Sequence, residues 1–477
     1  MRATLGRILL WTVLIFQCLL LAFAIHVDRR LRLVLGSKPP ISTSDKRFFD
    51  AVHQFRLVPH DHENCLSPRD PLNYIVGTGQ SLATGWNSNP ALDIQNSAWP
   101  DWTFMTNLGI LPVHPREPTT QVDYTRIVRL VPIASVSTYD NNGETIAAAM
   151  TWTINDLLRA EGKPQYPVMF SEHAVPAQPY MVLKKDTIPY DNALVTVGRV
   201  AQIVAPRCVV VRALTVTHGE ADFLNGSSQS EYEDDLVDWQ RSFSADLKDV
   251  TGQSSDVVEM TDQMNSYTAP AWGKQARATS VIPLAELQAA IDHPNAVILV
   301  APKYFLDYTP TSLQYGVDGI HLTAASEQLL GEYYGRAYKR TVVDGVPWKP
   351  VYPTKVSIAG NVITATFNVP VAPLVLDTLH VTDPGNLGFE YSDSTANPPT
   401  ITSVELHGEG QVRVTLNKAP TAAEGSRYLS YAWSGIIGNP AGPKSGPRGN
   451  LRDSDDTVGR YSHQRLFNWC VTFHAAF

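Results

Sequence analysis

IVGTGQSLATGW, residues 75–86, sets a single serine, Ser81, among three glycines directly after a short apolar run. Asn73, Tyr74, Ile75 and Val76 read as a buried strand, and Gly77 and Gly79 then allow a sharp turn of the backbone. A serine just past the carboxyl end of a strand stands at the rim of the sheet, where open α/β folds bind ligands. Near a helix start, its own N–H can also face a developing negative charge on oxygen. Taken alone, the stretch is read more simply as a glycine-rich turn with an incidental serine.

The surrounding chain supports a sheet of that kind. Apolar runs at 73–76, 127–133, 167–170, 208–216 and 296–300 alternate with amphipathic stretches at 143–161, 190–204, 230–250 and 282–292, and a last helix is expected over 324–338. The uninterrupted runs VVVRALTV and AVILVAP suit strands covered on both faces by helices. The expected architecture is a three-layer α/β domain. The pattern changes near Trp348. Beyond it, VSIAGNVITATFNVP, ITSVELHGEGQVRVTL and RYLSYAWSG read as short alternating strands without helices, a C-terminal β-sandwich joined by the proline-rich VPWKPVYP. The expected division is 1–36, 37–345 and 346–477.

With 477 residues, 44% hydrophobic and 18% charged, the chain is long enough for several cores and too apolar to be disordered. A net charge of −8 with no basic run gives no support to nucleic-acid binding. Four cysteines make no disulfide framework; Cys208 reads as a buried thiol, and Cys65 could pair with Cys470. Arg2 and Arg7 precede an uncharged apolar run over 8–24, and Arg29, Arg30 and Arg32 follow it. The run fits either a secretion signal ending at Ala22-Phe23-Ala24 or an uncleaved membrane anchor; either places the bulk of the chain outside the cytoplasm.

Two further clusters bear on Ser81. Asp318 and His321, three residues apart in GVDGIHLTAAS, offer a base and the carboxylate that orients it, which a serine nucleophile requires. VTHGEADF brings His218, Gly219, Glu220 and Asp222 to the end of another strand. An isolated D-x-x-H is read more simply as a capped turn with a surface histidine, and an isolated acidic loop as a solvated one.

GTGQSLATG, THGEAD and DGIHLT, in that order and at those spacings, resemble the three motif blocks of SGNH/GDSL-type hydrolases, specifically of sialate O-acetylesterase-like carbohydrate esterases. The likeness spans about residues 73–338. It implies a flavodoxin-like three-layer α/β/α domain and a metal-free, cofactor-free esterase acting on an acetylated carbohydrate or polysaccharide. It also implies Ser81 as nucleophile, His321 as general base and then acid, and Asp318 as its orienting partner. Gln80, Glu220 and Asp222 are supporting residues, and the oxyanion hole draws on the Ser81 N–H, a donor from the second block, and Gly219 or His218. The chain departs from the family in that second block. SEHAVPAQPYMVLKKDT carries Pro176-Ala177 where relatives have a glycine pair, and proline has no N–H to donate. The Ala177 N–H, or that of Ala174, is then the expected donor.

His60, His62, His114 and His173 lack metal-ligand spacing and are expected in solvated loops. Trp86, Trp99 and Trp102 could line a sugar-stacking cleft or pack in the core. EYEDDLVD, residues 231–238, is expected as the acidic start and outer face of a helix. Two alternatives stay open: a glycan-binding surface protein with weakened catalysis, and a lipase or thioesterase using the same triad.

Overall fold

The computed structural model describes residues 71–92, 97–115, 117–135, 143–311 and 316–477. Cys65, His60, His62 and the N-terminal apolar run lie outside them. The apolar run before Ser81 becomes β1 (Leu72–Gly79), buried at every position. It is the fourth strand of a seven-stranded sheet with the order β3-β2-β4-β1-β5-β6-β7. Its members are β2 (Thr103–Thr106), β3 (Leu130–Pro132), β4 (Val168–Glu172), β5 (Val209–Thr217), β6 (Val258–Gln263) and β7 (Val297–Pro302). All neighbours pair in parallel except β2 with the edge strand β3.

Period-2 alternation sends successive residues of a strand to opposite faces. Ile75 enters one apolar core and Tyr74 and Val76 the other. The first core is shared with α1 (Ile146–Ala160) and α7 (Ala324–Tyr338). The second is shared with α3 (Ile188–Val204), α5 (Gln229–Thr251) and α6 (Ile282–Asp292). Short helices α2 (Tyr180–Leu183) and α4 (Glu220–Asn225) complete the set among the described residues. The helix holding 231–238 starts with a full capping box, Ser228 and Glu231 each bonding the other's backbone N–H. Within α7, Gly331 and Gly335 let the helix lie on α1 so closely that an added Cβ would fall 2.5 Å from the Ile146 and Met150 carbonyl oxygens.

The expected strand over 127–133 shrinks to Leu130–Pro132, and β2 and β6 were not foreseen. Both carry polar residues buried by tertiary contact: Thr103 and Thr106 in β2, Glu259, Thr261 and Asp262 in β6. Their pattern therefore does not read as a continuous apolar run.

From Tyr352 onward the chain forms antiparallel sheets that fit a β-sandwich. The strands are β8 (Tyr352–Ala359), β9 (Val362–Asn368), β10 (Val375–Leu376), β11 (Phe389–Asp393), β12 (Ile401–His407), β13 (Gln411–Leu416), β14 (Arg427–Tyr431), β15 (Leu451–Arg452) and β16 (Phe473–Ala476). One sheet has four strands in the order β12-β13-β9-β8, another three in the order β11-β14-β16, and a third is the pair β10-β15. Alternation is clear in β9 (Val362–Asn368) and β13 (Gln411–Leu416), which bury Ile363, Ala365, Phe367, Val412, Val414 and Leu416. This region is not freestanding. Its core also takes in Leu287, Leu299 and Tyr304, while Trp348, Ala441 and Leu466 enter the first core. Cys470 is a buried free thiol, and Cys208 is buried as well. No helix among the described residues is long and apolar enough to cross a membrane.

Candidate active site

In the strand order, β1 lies between β4 and β5, so the chain reverses direction across the sheet at the carboxyl end of β1. That switch point is where open parallel sheets leave a crevice. Gly77 and Gly79 lie inside β1 rather than in the turn. Gly79 has a φ of +137°, and a Cβ there would sit 2.3 Å from the Thr217 carbonyl oxygen on β5. Residues 81–86 then form hydrogen-bonded turns, with Gly85 donating to Leu82 and Trp86 to Ser81 at 3.0 Å each. No helix begins at Ser81, so the expected helix-dipole contribution to its N–H is absent.

The structure brings Ser81, His321 and Asp318 together. His321 Nε2 lies 2.9 Å from Ser81 Oγ, and His321 Nδ1 lies 2.9 and 3.0 Å from the two Asp318 oxygens. Asp318 also accepts the backbone N–H groups of Ile320 and His321 at 2.9 and 3.1 Å, and the Asn87 amide at 2.7 Å. Burial pushes the Asp318 carboxyl up, but the His321 ring, the Ile320 N–H and Asn87 outweigh it and hold it below the ordinary carboxylate value. An ionised Asp318 on Nδ1 keeps the proton there and leaves Nε2 free to accept one from Ser81.

Asn87 was not singled out from the sequence. Its φ of +60° is the available signal, because asparagine tolerates that conformation better than other side-chain-bearing residues. The sequence NSNP around it reads only as a turn.

The three residues open into a cleft of about 820 Å³. Its walls come from Trp86, from Pro176 and Ala177 after β4, from Ala221 and Leu224 on α4, from Pro270 and Trp272 after β6, and from Val317 and Ile320. Ala177 has a φ of +58°, the left-handed conformation natural to glycine. Among the described residues, neither the Ser81 nor the Ala177 N–H has an acceptor, and both residues face the cleft. The Ala174 N–H is committed to the Glu172 carboxyl at 3.2 Å.

The third block is placed differently from expectation. His218 is fully buried, with Nδ1 2.9 Å from the Tyr232 hydroxyl and Nε2 2.9 Å from the Gln178 carbonyl oxygen. It therefore offers no donor to the cleft. Gly219 starts α4 with a φ of +125° and packs against Ile282 rather than the cleft. Asp222 accepts the Tyr180 N–H at 2.9 Å. His218 and Asp222 thus brace the segment immediately after Ala177.

Gln80 and Glu220 belong to a closed ring of buried groups under the serine. Gln80 donates its backbone N–H to the Thr217 carbonyl at 3.2 Å and its amide to Glu220 at 3.0 Å, and accepts the Ala221 N–H at 3.0 Å. Lys303 on the far side pairs with Asp262 and lies 3.7 Å from Glu220, while Thr217 donates to Asp262 at 2.9 Å. Burial disfavours the Lys303 ammonium, yet Asp262 and Glu220 more than offset it and hold its proton on.

Among the other residues weighed from sequence, His173 is buried rather than solvated, bonds Ser171, and is held neutral by burial with a pKa of about 3. No group of three metal-ligating side chains occurs among the described residues. Trp99 packs in the core with Trp102 against it, and Trp86 alone of the three tryptophans reaches the cleft.

No family profile matches the sequence, and no curated protein does. Solved structures do. A carbohydrate acetylesterase from Xanthomonas citri aligns over 84% of this chain and 80% of its own, with a TM-score of 0.53 at 13% identity. A carbohydrate acetylesterase from Sinorhizobium meliloti (TM-score 0.30, 12% identity) and the M. smegmatis aryl esterase (0.31, 12%) each align over 57% of this chain and 99% of theirs. At such identity the likeness is one of fold, and the chain shares that fold with the Xanthomonas citri enzyme over most of its length.

Proposed function

We propose that the chain is a serine esterase of the SGNH type that removes O-acetyl groups from a carbohydrate. The observation that carries this reading is the continuous path Ser81 Oγ–His321 Nε2, His321 Nδ1–Asp318 at the floor of an open cleft. The parallel-rich sheet with helices packed on both faces accords with the flavodoxin-like architecture implied by the motif blocks. The Xanthomonas citri neighbour, a carbohydrate acetylesterase, accords with the substrate class.

In this mechanism Ser81 Oγ attacks the ester carbonyl carbon as its proton passes to His321 Nε2. The carbonyl oxygen becomes an oxyanion facing the N–H groups of Ser81 and Ala177. Collapse breaks the bond to the sugar oxygen, which takes the proton from Nε2 and leaves as the alcohol. Water, deprotonated by the same nitrogen, then attacks the acetyl-serine; collapse breaks the bond to Ser81 Oγ, which takes the proton back from Nε2, and acetate leaves. Two preorganised donors of this kind are each worth on the order of 100- to 1,000-fold in turnover. Trp272 supplies a ring for the sugar face: its Nε1 donates to the Ser266 carbonyl at 2.7 Å, which fixes the ring at the cleft wall.

Leu224, Val317 and Ile320 make part of the wall apolar, which favours a second reading, hydrolysis of longer acyl chains. Turnover against acyl length separates the two: an acetate preference supports the first, rising rates with longer chains the second. Action outside the cytoplasm, through cleavage of or anchoring by residues 8–24, is proposed on the sequence of that run, and the division at about residue 345 on the change of pattern near Trp348. The test of the core proposal is acetate release from acetylated glycans by the wild type and by Ser81→Ala, which should be inactive while folded.

A further inference from the structure

Residues 433–442, between β14 (Arg427–Tyr431) and β15 (Leu451–Arg452), leave the C-terminal sheets and lie against two parts of the cleft. Gly438 donates its N–H to the Thr268 carbonyl at 2.8 Å, and the Thr268 hydroxyl donates to the Asn439 carbonyl at 2.7 Å. The Tyr267 hydroxyl donates to the Trp433 carbonyl at 2.8 Å, and Gly435 donates to Ala278 at 2.9 Å. These bonds hold the connector after β6 that supplies Pro270 and Trp272 to the cleft.

The same segment reaches the acid–base loop. Gly319, between Asp318 and Ile320, has a φ of +90°, and a Cβ there would fall 2.7 Å from Pro440 Cβ and 3.0 Å from Pro270 Cδ. Ala441 is buried in the same core as Leu322. From the inner side the loop is held by Thr309, whose carbonyl accepts the Gly319 N–H at 2.9 Å and whose N–H donates to the His321 carbonyl at 2.7 Å. Pro440 closes the outer side.

We propose that residues 433–442 are a positioning element of the active site: the C-terminal region clamps the Asp318–His321 loop and sets its distance from Ser81. The role in turnover rests on the esterase reading above; the clamp itself does not. A displacement of about 1 Å at a catalytic group can cost on the order of 100-fold. Losing the Pro440 ring and the Thr268 hydroxyl removes one of the two prolines against Gly319 and loosens the connector that carries the other, Pro270.

The test is the double variant Thr268→Val/Pro440→Gly in the full chain, beside each single variant and Thr268→Ser, which restores the hydroxyl. Two readouts are taken: kcat and KM on an acetyl ester, and the low-field proton resonance of the His321 Nδ1–H bonded to Asp318. The double variant should lose about 10- to 100-fold in kcat with KM within about twofold. Its low-field proton should shift or broaden, and Thr268→Ser should match the wild type. A folded double variant with unchanged kcat and an unchanged low-field proton overturns the clamp. If the wild type has no esterase turnover, the esterase reading falls and the proton resonance alone decides the clamp. If the double variant does not fold, Pro440→Gly is read by the same two criteria.

Discussion

Replacing Asn87 separates two contributions that meet at one residue. Its amide donates to Asp318 at 2.7 Å, a charge-assisted bond, and its backbone holds a φ of +60°. A bond to a charged group contributes about 1.5–3 kcal/mol net. Left-handed backbone costs an alanine about 1–2 kcal/mol, whereas glycine adopts it freely. Asn87→Gly should therefore lose the bond alone, and Asn87→Ala the bond and the strain together. Glycine's extra freedom in the unfolded chain takes back about 0.4–1 kcal/mol. The net expectation is that Asn87→Ala is less stable than Asn87→Gly by about 0.5–1 kcal/mol, the reverse of the usual order in regular structure. Both should lower kcat by about tenfold, since each kcal/mol-scale loss of Asp318 orientation reaches the imidazole. Asp318 also loses one of the bonds that hold its pKa down, so its value should rise in both variants. Urea unfolding gives the stabilities and acetate release at saturating substrate gives kcat. Equal stability of the two variants would refute the strain argument, and unchanged kcat in both would refute the role of Asn87 in holding Asp318.

Three other outcomes are expected. Ala177→Gly relieves the same kind of strain at φ +58° and keeps the N–H, so stability should rise by about 0.5–1 kcal/mol with turnover retained; a fall in denaturation midpoint would show that the methyl group is needed. Trp272→Ala should raise KM for acetylated sugars about 3- to 10-fold while leaving ethyl acetate hydrolysis unchanged, and an equal effect on both substrates would place Trp272 outside sugar recognition. Glu259 is fully buried, neither of its oxygens has a partner among the described residues, and burial pushes its pKa well above the usual value. The folded state then keeps a proton that the unfolded chain gives up above about pH 4.3, so stability should fall as pH rises from there toward the folded pKa. Glu259→Gln should flatten the decline in melting temperature between about pH 5 and about pH 8, and an unaltered slope would mean that Glu259 is not the source.

How far the sequence discloses this site depends on what each feature needs. Strand β1 and helix α7 are legible because their apolar residues recur at the right period and their ends carry glycine or a threonine cap, Thr323. Strands β2 and β6 are not, because burial by neighbours rather than by pattern keeps their threonines and acids inside. The D-x-x-H signal is instructive, since a second one occurs among the described residues. Asp377 accepts the N–H groups of Leu379 and His380 at 2.9 Å each and lies 2.8 Å from His380 Nδ1, the same local geometry as Asp318 and His321. Its aspartate pairs with Arg452 at 2.7 Å, and no hydroxyl bonds His380 among the described residues. The motif thus folds its own aspartate–histidine pair at both described places. Only the long-range approach of Ser81, 240 positions away, distinguishes one from the other.

His218 shows the opposite failure. The residue type suggested a donor, but Tyr232 and Gln178 occupy both ring nitrogens, and those partners come from α5 and from the loop after β4. Ala177 was legible only as a substitution within a motif; its left-handed backbone, followed by a segment that His218 and Asp222 bond, was not. The docking of the C-terminal region could not be read, because alternation within a strand marks a buried face without saying what covers it.

The central claim is that Ser81 is the nucleophile. It is tested most directly by treating the folded protein with a fluorophosphonate and identifying the modified peptide by mass spectrometry. Modification confined to Ser81, and abolished in His321→Ala, is the predicted result. Modification of another residue, or none on protein shown to be folded, would contradict it.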